Sequence, residues 1–298
     1  MQTQSMQTSK QLIWCTDCKS SHTGHAGSGF TESDICHRLI ISLIKCSNTN
    51  RTENIDFEKC LEKYAAAKWF HSGKVPVKKG KFKFPLVHWA CVLGKYLILE
   101  YLVTEKGFDL SIKVGRHKEG PLHSMVRHLR TGLNAQIPAD YILRNAFCNI
   151  LDVFLRYMPE AFSEKDVKTH DTILHFLARR CNMDPCSRIY LKILLAKIKE
   201  SSELSAQTKD EVLSAANKKG NTFLHLLVSD ESSARTVTYL CDNFGSTAQR
   251  ISKTWNNLHK TPRQIAVEKR CFAMLRALGA PAVVLNSLSR GSITWKEE

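Results

Sequence analysis

The sequence predicts an all-α chain: a solenoid of about five degenerate helix-pair repeats behind an N-terminal helical extension. Three observations predict it. A short apolar motif, usually with a histidine inside it, recurs along the chain. The stretches that follow its copies carry apolar residues at helical spacing. The composition, 43% hydrophobic and 24% charged over 298 residues, suits one or two globular domains with an extended core. It excludes a largely disordered chain, a collagen and a disulfide knot.

Residues 1–30 read as a flexible tail, with Gly24-His25-Ala26-Gly27-Ser28-Gly29 as a linker. Residues 31–74 form the helical extension or cap. Ile35, Leu39-Ile40 and Leu43-Ile44 follow Ser33-Asp34 at helical spacing, and Phe57, Leu61, Tyr64-Ala65 and Trp69-Phe70 make a second such segment. A cryptic degenerate repeat is the competing reading of this stretch. Residues 75–280 hold the repeats. The copies are Leu86-Val87-His88-Trp89-Ala90-Cys91, Gly120-Pro121-Leu122-His123-Ser124-Met125-Val126, Thr172-Ile173-Leu174-His175-Phe176-Leu177-Ala178 and Gly220-Asn221-Thr222-Phe223-Leu224-His225-Leu226-Leu227-Val228. A weaker fifth is Lys260-Thr261-Pro262-Arg263-Gln264-Ile265-Ala266, with glutamine at the histidine position. Residues 281–298 read as a C-terminal tail or terminal cap.

These copies resemble the Thr-Pro-Leu-His-x-Ala signature of the ankyrin repeat. The first continues through Gly94 to Leu102 as a short inner helix, a turn and an outer helix, and Gly107-Phe108-Asp109 resembles the family's Gly-Ala-Asp loop. The resemblance implies ankyrin-like helix pairs, none able to bury its apolar face alone, stacked into one continuous core. Threonine suits the N-cap of the inner helix and proline its first turn. The motif histidines are expected to hold loop backbone through their ring nitrogens rather than to act as ligands or bases. His88 to His123 spans 35 residues, near the family period, whereas His123 to His175 spans 52 and His175 to His225 spans 50. The surplus predicts lengthened outer helices around Tyr141–Leu155 and Ile189–Ile198, with loops at Thr131–Pro138 and Ser201–Asp210. The stretch from Cys271 to Leu278 is expected to be the last outer helix, stopped by Gly279.

Charge and cysteine usage narrow the function. Lys and Arg total 43 against 28 Asp and Glu, a formal net charge of +15. The plain reading is a well-solvated basic surface; the functional one is a partner carrying negative charge, whether nucleic acid, acidic peptide, phosphopeptide or anionic lipid, with strongly basic partners disfavoured. Eleven cysteines, about 4% of the chain, fall below the density of a disulfide scaffold, and several lie inside apolar runs, which favours a reduced intracellular setting, nucleus or cytoplasm. The N-terminus lacks the apolar segment of a secretory signal, and no apolar run approaches the ~20 residues that cross a bilayer. The aromatic residues sit mostly on apolar faces and read as core. No nucleophile elbow, P-loop, His-Glu-x-x-His or kinase signature occurs, so the chain is read as non-enzymatic.

Two groups of residues are candidate sites. Cys15, Cys18, His22 and His25 could supply four zinc ligands, with Cys36 and His37 as alternatives; the competing reading is a tail whose composition happens to suit, and no other cofactor is expected. The second group is basic: Lys79, Arg116, Lys118, Lys219 and Lys260 each lie just before a motif copy, where the ankyrin resemblance implies a projecting finger. The plain reading is that such tips are exposed and often charged anyway. The functional reading is a protein-binding scaffold or adaptor that takes an acidic partner. A nucleic-acid or chromatin module and a substrate adaptor of a ubiquitin ligase are the alternatives. The lysine-rich run Lys74–Lys83 would also suit nuclear import.

Overall fold

The computed structural model describes residues 85–92, 94–128 and 139–281, together with Leu285. The expected tail, helical extension, zinc ligands, Lys79 and lysine-rich run all lie outside these residues, as do the loop Thr131–Pro138 and nearly all of residues 281–298. The described residues are helical, with no strand; an isolated antiparallel bridge joins Val114 to Glu119. No helix among them is long and apolar enough to cross a membrane.

Eleven α-helices follow in chain order: α1 Leu86–Val92, α2 Tyr96–Thr104, α3 Pro121–His128, α4 Ala139–Tyr157, α5 Ile173–Cys181, α6 Pro185–Glu200, α7 Ala206–Ser214, α8 Phe223–Leu227, α9 Ala234–Ser252, α10 Pro262–Glu268 and α11 Phe272–Ala277. Short 3₁₀ turns cover Pro159–Phe162 and Glu231–Ser233. The helices form two layers. In one, α1, α3, α5, α8 and α10 pack successively against each other; in the other, α2, α4, α6, α9 and α11 do the same. One motif copy opens each helix of the first layer.

The capping expectation holds where the sequence supplies threonine. Thr172, Thr222 and Thr261 are the N-caps of α5, α8 and α10, each in a capping box closed by the third helical residue, His175, His225 or Gln264. The chain turns at Gly94 between α1 and α2 and stops at Gly279 after α11, both left-handed (φ 71° and 75°). The motif leucines Leu86, Leu122, Leu174 and Leu224 are at most 2% exposed and share one core with Phe147, Phe154, Leu191, Leu194, Leu240 and Leu275. That core runs between the two layers, as helix pairs with one apolar face each require.

The surplus residues between copies lengthen the second layer: α4 has 19 residues and α6 has 16. One expectation needs correction. The stretch Ser201–Asp210 is not all loop, because α7 begins inside it. Ser205 caps that helix, accepting from the Thr208 N–H at 3.0 Å, and Val212 and Leu213 bury themselves, with α7 packed on α9. Helix α9 bends at Gly245 (φ 27°, ψ −102°), and Asp210 of α7 is held there by Thr247 (2.8 Å) and Arg250.

Candidate functional site

Ahead of α3, α5, α8 and α10 the chain makes a tight hairpin. Each is closed across its base by backbone hydrogen bonds: Val114 with Glu119 (2.9 and 3.0 Å), the Asp166 N–H to the Asp171 carbonyl (3.0 Å), Asn217 to Asn221 (2.9 Å) and Asn256 to Lys260 (3.1 Å). In three of them an Asx side chain folds inward. The Oδ1 of Asp166 accepts from the N–H groups of Lys168 and Thr169, that of Asn217 from Lys219 and Asn221, and that of Asn256 from Leu258 and Lys260, all between 2.7 and 3.1 Å. Every hairpin then has a left-handed residue at the same register, Lys118 (φ 52°), His170 (55°), Gly220 (72°) and His259 (52°), and the first has a second at Gly115 (70°).

The hairpins are zipped to one another. The N–H of Val167 donates to the His117 carbonyl (2.8 Å), that of Lys218 to Thr169 (2.9 Å) and that of Asn257 to Lys219 (3.1 Å). Side chains add rungs: the Asn217 amide donates to Asp171 Oδ1 (2.8 Å) and the Asn256 amide to Asn221 Oδ1 (2.7 Å). Gly220 fits this closeness as well as its φ, because a Cβ there would fall 2.8 Å from the Asn257 nitrogen. Four fingers thus make one ribbon along the edge of the stack.

The motif histidines tie the ribbon to the helices. Through Nε2, His88 reaches the Ile112 carbonyl (2.8 Å), His123 that of Asp171 (3.1 Å), His175 that of Asn221 (2.9 Å) and His225 that of Lys260 (3.1 Å). A carbonyl can only accept, so Nε2 carries the proton and Nδ1 is left as acceptor. The Thr172 and Thr222 N–H groups donate to Nδ1 of His175 and His225 (3.2 and 3.0 Å). Burial pushes His88 and His225 down to about 4 and lowers His123 and His175 as well, so all four are neutral at pH 7. The expectation of a structural role is met in this geometry. Among the described residues no group of histidine, cysteine and carboxylate side chains is arranged to hold a metal ion. The described thiols at Cys91, Cys181, Cys241 and Cys271 are raised by burial, which makes them poor nucleophiles.

The fingertips carry the charge. Arg116, Lys118 and Lys219 are exposed there, as the sequence predicts, and make no ion pair with a described residue; Lys168 and Lys218 join them. No Asp or Glu occurs in the tip residues 115–118, 167–170, 218–220 and 257–259. Lys260 differs. It lies at the base of the last finger, half-buried, with Nζ 2.7 Å from Glu268 Oε2. This pair belongs to a register that recurs. Four residues before and four after the motif histidine, Glu119 pairs with Arg127 and Asp171 with Arg179 (2.8 Å). Around Gln264 the signs are exchanged, Lys260 with Glu268. Glu119 and Asp171 are buried, and Arg127 also lies 5.1 Å over the Phe176 ring.

Sequence reasoning missed a second feature. Val167, Trp255 and Leu258 stand 60%, 55% and 73% exposed on or beside the fingers, although aromatic and apolar residues read as core. The signal for Trp255 was its polar setting, Lys253-Thr254-Trp255-Asn256-Asn257. No protein-family model matches the chain, and no curated protein matches it either.

Proposed function

We propose that the chain is a stack of degenerate ankyrin-like repeats that serves as a non-enzymatic protein-binding scaffold or adaptor, and that its partner presents an acidic surface to the fingertips. One observation carries this reading: of four fingers joined by backbone hydrogen bonds, the first three line up Arg116, Lys118, Lys168, Lys218 and Lys219, with no carboxylate among the four tips. The turn geometry does not use these five side chains. It is made by backbone, Asx side chains and left-handed residues. A pre-formed surface loses little conformational entropy on binding, and uncompensated like charges speed encounter with an oppositely charged partner.

The test is charge reversal at two separate fingers. Lys118→Glu with Lys219→Glu should weaken capture of acidic partners at least tenfold at low salt while leaving the urea midpoint nearly unchanged, since neither side chain packs in the core. Equal affinity for the variant and the parent would refute the role of the tips. Binding of the parent to single- or double-stranded nucleic acid, with an affinity that falls steeply as salt rises, would transfer the ribbon to a nucleic-acid partner instead.

A further inference from the structure

We infer that the C-terminal end of the ribbon adds an apolar anchor to the charged track, so that the partner segment is an extended acidic peptide with one large apolar side chain at the end lying over Trp255 and Leu258. This rests on the scaffold reading above and states what the partner must look like.

Leu258 sits at the tip of the last finger, 73% exposed. Nothing in the turn requires leucine there, because Asn256 supplies the inward hydrogen bonds and His259 the left-handed step. Trp255 is 55% exposed three residues earlier, its ring edge-on to His259 with centroids 6.4 Å apart. Asn257 donates through its backbone N–H to the Lys219 carbonyl and through its side-chain amide to the Lys218 carbonyl, both at 3.1 Å. The apolar pair is thereby held directly beside two exposed lysines, and Lys253 is exposed just ahead of Trp255. An exposed tryptophan and leucine next to uncompensated cations fit a ligand that offers an apolar group next to acids.

The dimensions suit a short peptide. Successive first-layer helices pack roughly 8–10 Å apart, so four fingers span roughly 30 Å, which about nine extended residues cross. A bilayer fits less well. Interfacial insertion draws on a broad apolar face, whereas the last finger offers only Trp255, edge-on to His259, and Leu258. A single-stranded nucleic acid would call for a series of stacking rings, whereas the described ribbon offers one tryptophan.

The experiment uses the full chain and fluorescein-labelled oligo-glutamate peptides of about nine residues, plain or with one phenylalanine at either end, followed by anisotropy at roughly 0.15 M salt. One of the two phenylalanine peptides should bind about tenfold more tightly than the plain one. Trp255→Ala with Leu258→Ser should abolish that difference and leave the plain peptide within about twofold of its parent affinity. Equal binding of plain and anchored peptides, or a difference that survives in the double variant, overturns the anchor while leaving the acidic-partner reading intact. Failure of every peptide to bind the folded parent, at low salt as well, refutes both. Tighter, Trp255-dependent binding of phosphatidylserine vesicles or of oligo-uridylate than of the anchored peptide also overturns the inference and replaces the ligand class.

Discussion

Acid should unfold this protein through its motif histidines, and a single glutamine should blunt the effect. An unfolded imidazole takes up its proton near pH 6.5, whereas folded His225 and His88 resist down to about 4. Between those values the unfolded state binds more protons, so stability rises with pH across the window, is complete above about 6.5 and is lost as pH falls toward 4. Each histidine contributes a slope of about 1.4 kcal/mol per pH unit, hence about 3 kcal/mol over its own window. His88 and His225 together remove about 3 kcal/mol between pH 6 and pH 5, and the lowered His123 and His175 act with the same sign. Asp166 and Asp210 are held below the ordinary carboxylate range, so their contributions fade only beneath this window. Against a typical stability of about 5–15 kcal/mol, unfolding should set in near pH 5. The last pair supplies the control. Gln264 occupies the histidine position and closes the same box, accepting from the Thr261 N–H at 2.9 Å and donating its own N–H to Thr261 Oγ1 at 3.2 Å. His225→Gln should therefore keep the cap, lose the bond to the Lys260 carbonyl at a cost of about 1 kcal/mol at pH 7, and show a pH slope shallower by one proton. Urea unfolding at pH 7, 6 and 5 measures both quantities. Identical slopes for parent and variant, or a parent whose stability is flat from pH 7 to pH 4.5, would refute the assignment of the buried neutral histidines.

Two further expectations concern the ribbon's backbone. Gly220→Ala meets both a left-handed φ and the Asn257 nitrogen at 2.8 Å, so it should lower stability by about 2–3 kcal/mol, while His259→Gly at the matching register should be neutral or stabilising by up to about 1 kcal/mol; urea midpoints that rank the two variants the other way would contradict the zipped-finger geometry. Gly120 precedes α3 where later pairs have threonine, and the buried Nδ1 of His123 has no partner among the described residues. Gly120→Ser should complete that cap and raise stability by about 1 kcal/mol, provided the Glu164 carboxylate, 2.7 Å from the new Cβ, swings aside; a lowered melting temperature would show that Glu164 is fixed where it stands.

Local signals made much of the fold readable in advance. The histidine motif, the threonine caps and the 3.6-residue stripes of α4 and α6 are properties of short windows, and the described helices follow them. Helix α7 escaped because its sequence, with Lys209-Asp210-Glu211 at the centre, offers only Val212 and Leu213 to the core; its stability comes from packing on α9, which no local window contains. The candidate site divided in the same way. Arg116, Lys118 and Lys219 could be placed on fingers from their position before the motif. Lys260 could not be told from a tip residue without the turn, since one step across the left-handed His259 separates an exposed tip from a base paired with Glu268. Trp255 and Leu258 carry side chains that normally go inside, and a local window does not show that no described neighbour covers them.

The pair that recurs four residues before and four after His123, His175 and Gln264 explains why the tips, rather than the first-layer helices, carry the available charge. Arg127 and Arg179 are each about half exposed, but behind each stands a carboxylate that is itself buried, Glu119 or Asp171. Stripping one partner from such a pair would strand a buried charge, so the arginines are committed to the finger bases and present little net field. Exchange of the signs at Lys260 and Glu268 is what pairing at this register, without regard to sign, predicts. The tip cations answer to no carboxylate within the ribbon. Their field is therefore the part that salt screens over roughly 8–10 Å and that an acidic ligand can neutralise. A partner read by this surface should accordingly show salt-dependent association, while the finger bases, and with them the fold, stay nearly indifferent to ionic strength.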